Sequence, residues 1–182
     1  MKRLKLIFVI VLCIFSLRGY SQFYSARTNI VGLGTGNINA EFSMTLDKHF
    51  SLHFPVQYNP FTYNRGKNTK FKNLTILPAA RYWFLESFRE QFVGVSLVGS
   101  RYNISNIWDS RRYDGYAAGL GISYGWAYPI ASRWNIEWEV GVAGMWCAYD
   151  KYVSKNSGYH FGEYHQWRIV PHKFALNLTY LF

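Results

Sequence analysis

From residue 134 to 146 large apolar side chains alternate with polar or small ones. Trp134, Ile136, Trp138, Val140 and Val142 stand against Asn135, Glu137, Glu139, Gly141 and Ala143. Wound as a helix, a two-residue repeat advances about 200° per step and scatters its apolar groups round the cylinder. Drawn out as a strand, it puts them on one face and two carboxylates on the other. Similar alternation predicts strands over residues 27–33, 37–46, 50–58, 73–84, 113–128 and 173–182. An eighth strand, over 92–103, is blurred by Gly94, Ser96, Gly99 and Ser100, and its faces stay unassigned. Short turns are expected at 34–36, 47–48, 86–91 and 129–133, and longer loops at 59–70, 104–112 and 150–166. Pro55 lies inside the third strand, where a missing N–H predicts a bulge or break. No helix-period segment is expected between the strands.

In the clearest strands every even position is uncharged, from Ile38 to Leu46, Phe50 to Tyr58, Tyr116 to Tyr128, Trp134 to Trp146 and Phe174 to Phe182. Packed into a soluble core, that face would bury many Trp and Tyr rings whose polar tips need partners. Turned to lipid, the rings near the strand ends form aromatic girdles, with Tyr128 and Trp134 at one rim and Tyr116 and Trp146 at the other. Short turns alternating with longer loops, Gly34 excepted, fit the outer-membrane pattern. The expected fold is therefore all-β: an eight-stranded antiparallel up-and-down transmembrane β-barrel with a side-chain-filled interior. An exported lipocalin-like or sandwich domain is the alternative.

Composition adds an address. Lys2, Arg3 and Lys5 precede an apolar run over 6–17, and Gly19 and Ser21 follow as a small-x-small pair. The run is shorter than the roughly 20 residues of a membrane-spanning helix and suits a signal peptide over 1–21, with the barrel over 22–182. Aromatic residues make up 20% of the 182-residue chain, a share usual where protein meets the membrane interface. Of the two cysteines, Cys13 lies in the leader, so Cys147 has no intramolecular partner after processing. Lys and Arg number 20 against 10 Asp and Glu, which leaves the mature chain basic even without its leader.

The inward face collects Arg27, Arg81 and Lys173 with Glu41, Glu137 and Glu139. Eight strands enclose a space just wide enough for side chains to fill, so these charges are expected to pair with one another. Small residues along 115–127 would leave room for long arginine side chains from the opposite wall. Glu137 and Glu139, two residues apart on one strand face, have a spacing of roughly 6.5–7 Å, within the range of a glycosidase pair. With cations at hand and no cleft implied, pairing is the expectation and no catalytic residue is assigned. His49 and His53 would lie about 13 Å apart along a strand, too far for one metal. His160 and His165 fall in an expected loop, and neither a metal nor a cofactor is assigned. Three glycosylation-like triplets, at Asn73, Asn103 and Asn177, are discounted because two lie inside strands. Arg65, Lys67, Lys70, Lys72, Arg111 and Arg112 form an expected basic patch on the outer loops. Lipopolysaccharide phosphates are its expected partner. No basic helix or aromatic platform accompanies the charge, so nucleic acid is not an expected partner.

The phrases Arg27-Thr28-Asn29, Pro78-Ala79-Ala80-Arg81-Tyr82-Trp83, Gly119-Leu120-Gly121-Ile122-Ser123-Tyr124-Gly125, Ser132-Arg133-Trp134-Asn135-Ile136-Glu137 and Tyr180-Leu181-Phe182 together resemble a Bacteroidota family of outer-membrane β-barrels defined as a domain of unknown function. The resemblance implies a short barrel in the cell outer membrane and no particular activity. The alternating aromatic end at Phe182 looks like the signal read by the barrel-insertion machinery. The leading expectation is a non-enzymatic barrel, structural or binding a surface protein. A lipid-modifying barrel enzyme and a small-solute channel are the alternatives.

Overall fold

The computed structural model describes residues 24–64, 66, 68–107, 109–153 and 160–182. The expected signal peptide, Arg65 and Lys67 thus lie outside the described residues. The chain forms β1 (Tyr24–Asn29), a helical turn α1 (Ile30–Gly34), β2 (Ile38–Asp47), β3 (Phe50–Asn59), β4 (Thr62–Asn64), β5 (Thr69–Ile76) and β6 (Ala79–Trp83). It continues through β7 (Glu90–Ser105), β8 (Arg111–Ala131), β9 (Trp134–Val153) and β10 (His160–Leu181). All the strands join one antiparallel sheet in the order β2-β1-β10-β9-β8-β7-β6-β3-β5-β4. Pairing of β2 with β3 closes the sheet on itself. β5 and β6 occupy one place between β3 and β7, and β4 hangs on β5, so the ring has eight strand positions.

Alternation sets the faces, as the pleat requires. Ile38, Phe42, Phe50, Phe54, Leu120, Ile122, Trp134 and Val142 point out, while Ser43, Ser51, His53, Arg81, Asn135, Glu137 and Glu139 are buried inside the ring. β7 resolves as well: Phe92, Gly94, Ser96 and Val98 face inward, and Val93, Val95 and Leu97 face out.

Several expected boundaries move. The first strand ends at Asn29, not residue 33, because the Asn29 side chain accepts from the Val31 N–H (3.1 Å) and starts α1. Residues 59–70, expected as a loop, carry β4 and the start of β5. The break predicted at Pro55 falls instead on the neighbouring strand. β3 runs unbroken, while its partner divides at Leu77-Pro78 into β5 and β6, and the Leu77 N–H donates to the Pro55 carbonyl (3.0 Å). Residues 150–166 are not one long loop: β9 reaches Val153 and β10 begins at His160. Strands β7 to β10, with 16, 21, 20 and 22 residues, form a wall much taller than the 6 of β1 and the 10 each of β2 and β3.

β10 contains the one parity change that matters. A bulge between Pro171 and Lys173 adds an unpaired residue, so His172 and Lys173 both point inward. Beyond it the outward set becomes Trp167 and Ile169; before the C-terminus it is Phe174 and Leu176.

Inside, side chains stack in layers. At the end with the short turns Trp83, Phe88, Phe92 and Ala127 pack with Leu181. Phe88 reaches this layer from the turn after β6 in a left-handed conformation (φ 66°), which costs roughly 1–2 kcal/mol for a side chain with a Cβ. Its burial and a hydrogen bond from Asn135 Nδ2 to its carbonyl (2.6 Å) hold it there. At the other end Leu77, Val98, Ala117, Ala143, Met145 and Cys147 pack with Tyr102, Tyr149 and Val170. The charged residues lie between these two layers.

Candidate functional site

Arg27, Glu41, Arg81, Glu137, Glu139 and Lys173 come from five different strand positions and meet in the middle layer. Glu137 Oε2 accepts from Arg27 Nη1 and from Arg81 Nη1 (3.1 Å), and its Oε1 accepts from Thr179 Oγ1 (3.0 Å). Glu139 receives Arg81 Nη2 on one oxygen and Lys173 Nζ (2.9 Å) on the other. Arg27 Nη2 pairs with Glu41. Three cations thus balance three carboxylates. All six side chains are 9% exposed or less, so solvent screens the group little. A buried charge set of this kind is tolerable only when every member is paired and hydrogen-bonded. Arg81 also lies 4.1 Å above the Phe92 ring, which joins the ionic layer to the aromatic one.

The space for these side chains differs from the expectation that β8 would make room for arginines. A Cβ at Gly125 would meet the Phe92 ring at 2.4 Å, and one at Gly121 would meet His172 at 2.6 Å. Those two rings fill the β8 recesses, whereas Arg81 passes Gly94 on β7 (3.4 Å).

Three further residues extend the network. His53 Nδ1 lies 2.7 Å from Glu41 Oε1, and His53 Nε2 lies 2.7 Å from Ser51 Oγ. Ser51 Oγ in turn accepts from Trp83 Nε1 (2.7 Å). A proton on Nδ1, donated to Glu41, leaves Nε2 to accept from the Ser51 hydroxyl. That is the connectivity of a nucleophile, its base and an orienting carboxylate. Its setting is wrong for attack on a substrate. Ser51 and His53 are fully buried, Phe88 stands edge-on to His53 at 6.2 Å, and Glu41 is shared with Arg27. Neither residue lines the cavities above. One of these, about 240 Å³, is bordered by Arg27, Asn29, Glu41, Gln57, His172 and Lys173. The other, about 420 Å³, lies near Tyr102, Tyr113, Cys147, Tyr149 and Arg168. The interior is therefore packed through its ionic and aromatic layers and looser beyond them, a correction to the wholly filled interior expected.

His53 was legible as an inward residue, and the turn at 47–48 sets the hairpin register that pairs it with Ser43, two residues from Glu41. His49 turns to the Trp83 carbonyl (3.0 Å), away from His53. His160 and His165, expected in a loop, both belong to β10, and His165 stacks on Trp146. Among the described residues no group of three or more His, Cys, Asp or Glu is placed to hold a metal.

The described members of the basic patch are on strands, not loops. Lys70 and Lys72 lie on β5, and Arg111 and Arg112 on β8. Arg112 donates to Asp114 (2.6 Å), close to both lysines. Arg111 leaves the group: it pairs with Asp109 (3.8 Å) and lies 5.8 Å over Phe161.

A family model described as a protein of unknown function, DUF3575, matches residues 6–182. No curated protein and no solved structure matches the chain.

Proposed function

Because the chain belongs to the DUF3575 family, described only as proteins of unknown function, we propose its role from its surface chemistry: a non-enzymatic β-barrel of the cell outer membrane. Its polarity carries the reading. Ile169, Phe174 and Ile122 are 85%, 74% and 63% exposed, whereas Glu137, Glu139 and Arg81 are at 1% or below. A water-soluble monomer rarely exposes contiguous apolar surface beyond a few hundred Å². Here large apolar side chains are exposed on β2, β3 and each of β5 to β10. Hydrocarbon is the solvent that makes such a surface stable.

The band has the right height. On β9 the outward residues from Trp134 to Trp146 are uncharged, and the next outward charge is Asp150. Twelve residue steps at roughly 3.3 Å, tilted by about 40°, rise roughly 30 Å, close to a bilayer's hydrocarbon thickness. Aromatic rings border it: Trp134 packs on Tyr180 (5.0 Å) at one rim and Trp146 on Trp167 (5.5 Å) at the other. The short turns and both ends of the ring-forming chain lie at the first rim, which supports a reading with that rim in the periplasm and the tall β7–β10 wall outside the cell. The signal peptide over 1–21 supports export. Phe182, stacked between Tyr24 and Tyr180 where β1 meets β10, supports recognition by the insertion machinery. The barrel serves the envelope as structure or as a platform whose projecting hairpins bind a surface protein.

Gel mobility tests the reading. Protein from the outer-membrane fraction should migrate faster unboiled than boiled, because a closed hydrogen-bonded ring resists detergent at room temperature. A single mobility, or recovery of the protein in the soluble fraction, would overturn it.

A further inference from the structure

The outer wall of β5, β7, β8 and β9 carries a trench that register creates. Two successive rungs of paired residues cross these strands: Ile76, Gly99, Ala118 and Trp146, then Leu74, Arg101, Tyr116 and Ala148. Gly99, Ala118 and Ala148 have too little side chain to fill their places. The apolar side chains around them, Ile76 and Leu74 on one side and Tyr116 and Trp146 on the other, border a depression of about 440 Å³. It spans two to three strand spacings, roughly 10–14 Å, which is wide enough for an acyl chain.

Immediately above, the wall turns basic. Arg101 sits at the lip with its guanidinium 5.3 Å over the Tyr116 ring. The next two rungs bring Lys72, Asn103 and Asp114, then Lys70, Ser105 and Arg112. Asp114, the carboxylate on these two rungs, already accepts from Arg112 Nη2 and Asn103 Nδ2, each at 2.6 Å. Asp150 and Glu163 continue its rung on β9 and β10. Lys70, Lys72 and Arg101 have no ion-pair partner among the described residues. Lys70 shows the crowding: burial first, then the charges of Arg112 and Lys72, hold it below the ordinary lysine range. Like charges gathered this closely cost free energy that a bound polyanion returns.

We propose that this trench and its basic lip form a binding site for one phosphorylated, acylated lipid of the outer leaflet, of the lipopolysaccharide class. An acyl chain lies over Gly99 and Ala118, and a phosphate meets Arg101, Lys72 and Lys70. The inference rests on the membrane reading above. It replaces a diffuse attraction of outer loops with a defined site on the strands, and it adds Arg101.

Native mass spectrometry of detergent-purified protein with added diphosphorylated lipid A tests it. Wild type should retain one lipid. The triple variant Lys70→Gln, Lys72→Gln, Arg101→Gln should bind at least tenfold more weakly, as should wild type offered the dephosphorylated lipid. Ala118→Leu, which fills the trench from outside the core, should weaken binding with every cation in place. Equal binding by wild type and the triple variant, indifference to the phosphates, or indifference to Ala118→Leu would each overturn the site. The mobility shift on boiling, run on every sample, separates failures: lost binding with the shift intact concerns the lipid site, and an absent shift in wild type concerns the barrel.

Discussion

Glu137 shows how much one side chain carries here. Its two oxygens accept from Arg27, Arg81 and Thr179, and all four residues are buried. Glu137→Gln keeps the shape and removes the charge, leaving two guanidinium groups to share the remaining carboxylates. Breaking a buried set in this way costs about 3–5 kcal/mol. The temperature at which the fast-migrating band is lost should therefore fall clearly. Replacing Arg81 and Glu137 together by Met and Leu should recover most of that loss, because the desolvation cost leaves with the charges. A double variant as weak as the sum of its parts would show the pair to be worth more than its burial costs. The six charged members of this layer could be identified from parity alone. Ser51 and His53 could not be assigned their roles that way: parity puts them inside, but only hairpin register brings His53 to Glu41.

The elements differ in how locally they are specified. β2 and β3 follow from alternation and a tight turn between them. β10 does not, because its alternation changes phase at Pro171–Lys173, and a periodicity read on either side alone stops at the bulge. That is why residues 160–166 look like part of a loop in sequence and 167–172 fall in no expected strand. Deleting His172 should expose the bulge's role. Without the extra residue, restoring the pairing of one half turns the other half's faces round, either Trp167 and Ile169 inward or Lys173 outward. Such a chain should lose the mobility shift on boiling. His172→Ala keeps the residue count, gives up the contact with Ser96 (3.0 Å) and the ring packing at Gly121 and Gly141, and should keep the shift. Retention by the deletion variant would mean that the strand tolerates slippage. The interruption at Leu77-Pro78 is similar in kind: Pro55 shows that a ladder bond is missing, but not which strand yields.

At the scale of the whole molecule, the ionic layer with Trp83, Phe88 and Phe92 beneath it fills the ring's cross-section, whatever space remains above. Liposomes carrying the protein should swell in small sugars no faster than empty ones. Swelling that falls with sugar size would identify a pore and remove the structural reading of the charges. The tall wall of β7 to β10 gives the molecule one projecting side. Its extent depended on strand pairing between residues that sequence reading placed in a loop.

Which way each side chain faces along a strand is a property of the backbone, repeated every two residues. The sequence alone could therefore determine that the chain is all-β, which faces of the clearest strands are apolar, and that six charges are enclosed. Who meets whom across the ring depends on closure and on register accumulated over several hairpins, where a one-residue bulge reverses a face. Only the tertiary structure could decide the pairing of Arg27 with Glu41 and Glu137, the Ser51–His53–Glu41 chain, and the trench below Arg101, because each combines residues that are distant in sequence.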